Sequence, residues 1–382
     1  MNRPAVLRTN QADTAAGMID LALGHPNPAL LPLPIIRRAA EHRLRGGDPS
    51  YLQYGYEQGD GYFRRELASF LSRGYGTAVA EEQLFVSAGA SQALDLICTL
   101  FAAPGDIVFV EEPTYFLALR IFADHRLQVV SIPTDEEGLI VEALEEELAK
   151  TRPAFLYIVP THQNPSGATL AAERRLRLAE LSAEQELLVV ADEVYHLLTY
   201  EGAAPVPLAG FISEGNVISL GSFSKILAPG LRLGWIQAAR KVLLPLMECG
   251  MLDSGGGLNP FTSSLVRSAL ELGLQDRHLD HLRIEYKKRL QAMSSAVRRH
   301  LAGRVYFSQP KGGFYLWLRL TGDQDTAALL TAARRNKVRF VPGSSFSATG
   351  KARSHLRLSF CYYSPEELQE GVKRLAASLD GV

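Results

Sequence analysis

Short apolar runs recur between residues 84 and 237, each followed by a loop or an amphipathic stretch. The pattern predicts strands at Leu84–Ser87, Ile107–Glu111, Gln128–Ile132, Ala154–Val159, Leu187–Ala191, Val217–Gly221 and Leu233–Gln237. Several are β-branched-rich and barely alternate, as strands covered on both faces do. Helical periodicity falls between them, for example at Gln92–Phe101, Val141–Lys150 and Leu170–Glu184. Strands alternating with helices imply an α/β domain on a mainly parallel sheet, whose ligands bind beyond the carboxyl ends of the strands. The chemically unusual residues sit there. Gly89-Ala90-Ser91 follows the first run, Pro113-Thr114-Tyr115 the second, Asn164-Pro165 the fourth, Asp192 the fifth and Ser222–Lys225 the sixth. That clustering points to a single site.

The rest of the chain reads differently. Residues 1 to about 17 are polar and patternless, an expected loose arm, and Gly24 to Pro34 is rich in turn formers. After about residue 280 a helical stretch, Leu279–Arg299, leads into short runs at Val305–Ser308, Gly313–Leu320, Val338–Val341 and Leu356–Phe360. A smaller α+β domain is expected there. The division is then 1–45 as an arm packing on the small domain, 46–279 as the large domain and 280–382 as the small one. A net charge of −1 over 382 residues gives no global attraction for nucleic acid or an anionic membrane. The N-terminus lacks a signal-peptide pattern, and no apolar run approaches the ~20 residues of a membrane span. The cytoplasm is the expected location. Cys98, Cys249 and Cys361 are widely separated and lack metal-ligand spacing, so they read as small core residues and no metal is expected.

One segment is more specific than the pattern around it: Ser219-Leu220-Gly221-Ser222-Phe223-Ser224-Lys225-Ile226-Leu227-Ala228-Pro229-Gly230-Leu231-Arg232-Leu233-Gly234-Trp235. For Ser-x-Ser-Lys alone, a solvated surface loop accounts equally well. The whole stretch resembles the cofactor-lysine motif of the fold type I (aspartate aminotransferase-like) pyridoxal 5′-phosphate (PLP) aminotransferases. Within them it is similar to the branch holding 2-aminoadipate and kynurenine aminotransferases. The residue types suit the chemistry. An imine with the cofactor aldehyde needs a primary amine, Lys225, and a neighbouring cation such as Arg232 favours its neutral form. A phosphate needs charge-assisted donors, which Ser222, Ser224 and Arg232 offer.

The resemblance implies further partners. Asp192, in Val189-Val190-Ala191-Asp192-Glu193-Val194-Tyr195, stands where the family's carboxylate keeps the ring nitrogen protonated; by itself it reads as a helix cap. Glu193 is a weaker rival for that role. Tyr195 and Asn164 match the donors to the ring's phenolic oxygen, although Asn164-Pro165-Ser166-Gly167 by itself reads as a turn. Gly89, Ala90 and Ser91 match the phosphate nest at a helix start, with Ala90 where relatives often carry a hydroxyl. Tyr115 matches the aromatic cover of the ring. Tyr54, in Tyr51-Leu52-Gln53-Tyr54-Gly55, matches the tyrosine that reaches the phosphate of a neighbouring subunit, which implies a homodimer with shared sites.

At the substrate end, Arg357 in His355-Leu356-Arg357-Leu358-Ser359-Phe360 resembles the family's carboxylate-binding arginine, and the resemblance implies that Asn164 touches the same carboxylate. The resemblance implies that Gly24 lies in a substrate-recognition segment and that Phe346 borders the substrate; His25, beside Gly24, is open between pocket lining and surface. Ser254-Gly255-Gly256-Gly257 is a glycine-rich turn without the Lys-Ser or Lys-Thr of a nucleotide loop. The implied activity is transamination between an L-amino acid and a 2-oxo acid. Other PLP reactions on this scaffold (β-elimination, decarboxylation, cyclisation, oxidation) stay open, because the fold does not fix the bond that breaks. A regulator built on the same fold needs a DNA-binding domain, for which these residues leave no room.

Overall fold

The computed structural model describes residues 11, 12, 14–213 and 215–380; the first ten residues of the expected arm, and residues 381–382, lie outside the described residues. The large sheet has the strand order Leu84–Ser87, Gly234–Ala238, Val217–Ser222, Val189–Asp192, Phe155–Ile158, Ile107–Glu112, Gln128–Asp135, Gly138–Leu139. The strands from Val217–Ser222 to Gln128–Asp135 run parallel, while Gly234–Ala238 lies antiparallel to both neighbours. Its lack of alternation has a direct cause. Val108, Val110, Phe155, Tyr157 and Val190 enter one buried cluster, and Phe109, Leu156, Ile158, Val189 and Ala191 enter another. Successive side chains point to opposite faces, so both faces must be apolar.

A second sheet orders Val305–Tyr306, Tyr315–Leu320, His355–Ser359 and Val341–Pro342, all antiparallel. The expected strand Val338–Val341 is divided. Val338–Arg339 pairs in parallel with Ile19–Asp20, Phe340 turns into the core between, and Val341–Pro342 pairs with His355–Ser359. One apolar run thus serves two sheets. Ser359 N also donates to Leu21 O at 2.7 Å, so the N-terminal segment packs along the small sheet. The long helix spans Leu274–His300 and starts from Gly273 at φ 60°, so the boundary expected near residue 280 falls inside a helix.

The glycine-rich turn explains itself by contact. Gly257 bridges to Gly55, and a Cβ on Gly257 would lie 1.8 Å from the Tyr56 carbonyl oxygen. Among the described residues no helix is long and apolar enough to cross a membrane.

Candidate active site

The strand Val217–Ser222 ends at Ser222, and the turn beyond it delivers Lys225. Lys225 Nζ donates to Gly24 O at 2.9 Å and lies 5.4 Å from the centre of the Phe314 ring. Ser222 Oγ donates to Ser224 Oγ at 3.0 Å and accepts from Ser224 N at 3.1 Å, which folds the two hydroxyls together. Arg232 adopts a left-handed backbone (φ 47°) and donates to Ala88 O at 3.1 Å. Its guanidinium therefore lies beside Gly89, where an added Cβ would approach Nη2 to 2.9 Å. Gly89 itself has φ 98° and opens the helix Ala90–Phe101, whose N-terminus no described side chain caps. Uncapped amides at a helix start make an anion site.

Asp192 closes its strand instead of following it. Its Oδ2 accepts from Tyr157 Oη at 2.9 Å and its Oδ1 from Val194 N at 3.4 Å. Burial pushes its carboxyl up to about 6, against the lowering effects of those bonds and of the Lys225 charge. Glu193 points to the opposite face, where it accepts from Leu208 N, Ala209 N and Ser219 Oγ and lies 3.8 Å from Arg175. It does not compete with Asp192, because its carboxylate is already held by those three donors. Tyr195 Oη donates to Tyr315 Oη at 3.2 Å. Tyr115 precedes the helix Phe116–Asp124 and packs edge-on against Phe116, with centroids 5.8 Å apart.

Arg357 is 3% exposed and faces Trp317 across the small sheet. Its Nη1 donates to Asn164 Oδ1 and its Nη2 to Ala22 O, each at 2.9 Å. The guanidinium carbon lies 4.0 Å from the Tyr315 ring centre, 4.9 Å from Phe346 and 5.8 Å from Phe116. Among the described residues Nε has no hydrogen-bond partner, and no carboxylate forms an ion pair with this residue. A buried cation without a counter-charge is costly unless an anion is to arrive.

Gly24 is fixed by contact, since a Cβ there would meet Tyr315 Oη at 2.3 Å. His25 is half-buried; burial first and then the Lys225 charge lower its pKa. Tyr54 is 83% exposed and lines a surface cleft with Arg43, Tyr51, Gln53 and Arg267, a cleft that holds none of the other candidate residues. Ser91 is exposed and Ala90 half-buried at the uncapped helix start.

Sequence reasoning missed Tyr157, Tyr315, Phe116, Phe314 and Cys361. Tyr157 had a signal: a tyrosine inside a fully buried apolar strand needs a partner for its hydroxyl. Cys361 Sγ donates to His25 O at 3.1 Å, and burial pushes its thiol up to about 11.

Residues 16–375 match the family described as aminotransferase class I and II. The chain belongs to that family. This aminotransferase is 36% identical to aromatic-amino-acid aminotransferase 1 of Thermococcus litoralis, over 95% of its own length and 88% of the relative's. It is 34% identical to 2-aminoadipate transaminase of Thermus thermophilus, over 96% and 91% of the two chains. Its fold superposes on Pyrococcus horikoshii kynurenine aminotransferase, solved in complex with PMP, with TM-score 0.89 and 35% identity across 95% and 91% of the chains. The aminotransferase is a PLP-dependent enzyme of fold type I that carries out transamination. Its residues fit that cofactor: an amine on Lys225, a buried carboxylate on Asp192, and a glycine cradle at Gly89 under the Arg232 fork that a Cβ would fill.

Proposed function

We propose that this aminotransferase binds an amino acid whose α-carboxylate is held by Arg357, with Lys225 as the catalytic base and Asp192 opposite the ring nitrogen. The buried guanidinium, with a free Nε and no carboxylate partner among the described residues, carries the reading. When bound, PLP supplies an aldehyde and a protonated ring that accepts electrons. Lys225 would hold it through the ε-amine and, when that amine is free, would move the proton at the substrate α-carbon; Gly24 O already accepts from this amine and would keep it in place. Asp192, braced by Tyr157, would keep the ring nitrogen protonated. Gly89, Ala90 and Ser91 amides, with Ser222, Ser224 and Arg232, hold the phosphate. Tyr115 would cover the ring. Asn164 Oδ1 accepts from Arg357, which would leave its amide N–H₂ for the phenolic oxygen; Tyr195 would donate to that oxygen by turning its hydroxyl proton away from Tyr315 Oη.

The substrates proposed are aromatic or 2-aminoadipate-like amino acids, in line with the names of the relatives. The aromatic walls at Phe116, Phe346 and Tyr315 support an apolar side chain near the site. We also read the protein as a homodimer, in which Tyr54 reaches the partner's phosphate. The exposed Leu52, Tyr54, Tyr56, Tyr62 and Phe261 support a covered face. A large domain over 46–279 and a small one over 280–382, divided within the shared helix Leu274–His300, with the N-terminal segment on the small sheet, complete the proposal.

The test pairs two measurements. The purified protein should show the visible absorbance of a lysine-bound cofactor, lost in Lys225→Ala. A panel of amino acids should convert that band to the pyridoxamine form and release the matching 2-oxo acids. A colourless protein, or ammonia or carbon dioxide without that conversion, would overturn the reading.

A further inference from the structure

We propose that Glu112 is a positioning residue that latches the segment after Phe346 onto the large sheet and so holds the aromatic wall of the Arg357 pocket. The proposal rests on Arg357 being the substrate-carboxylate site. Glu112 ends the strand Ile107–Glu112. Its Oε2 accepts from Ser131 Oγ of the neighbouring strand at 2.8 Å and from Ala348 N at 3.2 Å. Its Oε1 accepts from Thr349 Oγ1 at 3.2 Å and from Ser347 Oγ. One donor thus belongs to the large sheet, and the others to a segment reached only after the strand Val341–Pro342 of the small sheet. Two residues on, Thr114 N donates to Phe346 O at 2.9 Å, so the segment is held at two adjacent points.

What those bonds hold is the Phe346 ring. It is fully buried, 4.9 Å from the Arg357 guanidinium, and meets Phe116 and Trp317 edge-on at 5.2 and 5.5 Å. Phe116 lies just beyond Tyr115, so the latch closes the same wall from both sides.

The partners of Glu112 make this a latch. Among the described residues it forms no ion pair; its donors are hydroxyls and one amide, groups that water replaces easily when the segment lifts. While the segment is down, the ring keeps water from the guanidinium and the field of Arg357 is unscreened. With the latch cut, the segment samples lifted positions. Affinity for the carboxylate then falls for substrate and transition state alike, which raises KM and spares kcat.

The experiment uses the holoenzyme. Glu112→Ala cuts the latch from the large sheet, and the double variant Ser347→Ala, Thr349→Val cuts it from the other side if the first fails to fold. The readouts are kcat, KM and the dissociation constant of an unreactive 2-methyl amino acid, followed by the change in cofactor absorbance. The expected result is about a tenfold rise in both KM and the dissociation constant, with kcat within about twofold of wild type. In a Phe346→Leu background the same cut should add no further loss, because the latch acts through that ring. Unchanged KM in both variants, a fall in kcat at constant KM, or full additivity with Phe346→Leu would each overturn the latch. A wild-type enzyme whose absorbance responds to no amino acid removes the carboxylate-site reading itself, and the latch with it.

Discussion

Arg357 Nη1 donates to Asn164 Oδ1 at 2.9 Å, a bond that joins a strand of the small sheet to the loop beyond the strand Phe155–Ile158 of the large one. It orients the arginine fork and the asparagine amide at once. Replacing the fork by a point charge should undo both. Arg357→Lys is expected to raise KM for the amino acid about 100-fold, with a smaller fall in kcat, because the paired geometry of guanidinium and carboxylate is lost while a charge remains. Steady-state kinetics with a saturating 2-oxo acid measures this. A KM within about threefold of wild type would move the carboxylate site elsewhere.

The strand ends were legible because a parallel sheet gathers them at one edge. Gly89, Tyr115, Asn164, Asp192 and Lys225 need no long-range pairing to be placed there, only the count of strands between them. Arg357 and Tyr315 are different. They share a face because Tyr315 pairs with Ser359 and Trp317 with Arg357, a register that no local pattern encodes. The same limit explains the division of Val338–Val341 between two sheets and the Gly55–Gly257 bridge. Each depends on a partner far away in the chain. Tyr157 was within reach, since its burial follows from the apolar run and its hydroxyl then requires a partner. Only the identity of that partner, Asp192, is tertiary.

Asp192 carries a pH signature. Burial raises its folded pKa to about 6 from a reference value of 3.8. The folded chain therefore holds that proton more tightly than the unfolded one, and stability falls as pH rises from about 4 to about 6 and then stays low. Asp192→Asn removes this penalty. The cofactor-free variant should unfold at a higher temperature than the cofactor-free wild type at pH 8, and the gap should shrink at pH 4.5. With PLP bound the order should reverse, because the ring nitrogen loses its counter-charge. Calorimetry on both forms decides, and a cofactor-free variant that is less stable at pH 8 contradicts the prediction.

Glu111 should behave similarly over a higher window. Its Oε2 accepts from Val159 N at 2.8 Å and from Gln163 Nε2 at 3.3 Å, and burial pushes its carboxyl up to about 8 from 4.5. Stability is then lost between about pH 4.5 and 8 as the proton leaves. An amide oxygen can accept the same bonds without ever ionising. The advantage of Glu111→Gln over wild type should grow between pH 5 and 8 by at most about 1.4 kcal/mol per unit, and level off above 8. Urea unfolding at a series of pH values gives the slope. A flat difference would show that Glu111 stays charged, or stays neutral, throughout.

Gly24 offers the sharpest separation of local fit from general stability. Its carbonyl accepts from Lys225, and a Cβ on it would lie 2.3 Å from Tyr315 Oη. Tyr315 cannot yield easily, since its hydroxyl meets Tyr195 and its ring lies 4.0 Å under the Arg357 guanidinium. In Gly24→Ala the N-terminal segment must give way, taking the carbonyl from the Lys225 amine and Ala22 O from Arg357. Both kcat and KM should then worsen, by about tenfold each, and the pH dependence of the cofactor's absorbance should shift. Gly76 provides the contrast: it caps the helix Gly61–Tyr75 at φ 69° with nothing within 4 Å of an added Cβ. Gly76→Ala should cost about 1 kcal/mol of stability and leave the kinetics alone. If Gly24→Ala behaves like Gly76→Ala, the close approach of the N-terminal segment to Lys225 has no part in the reaction.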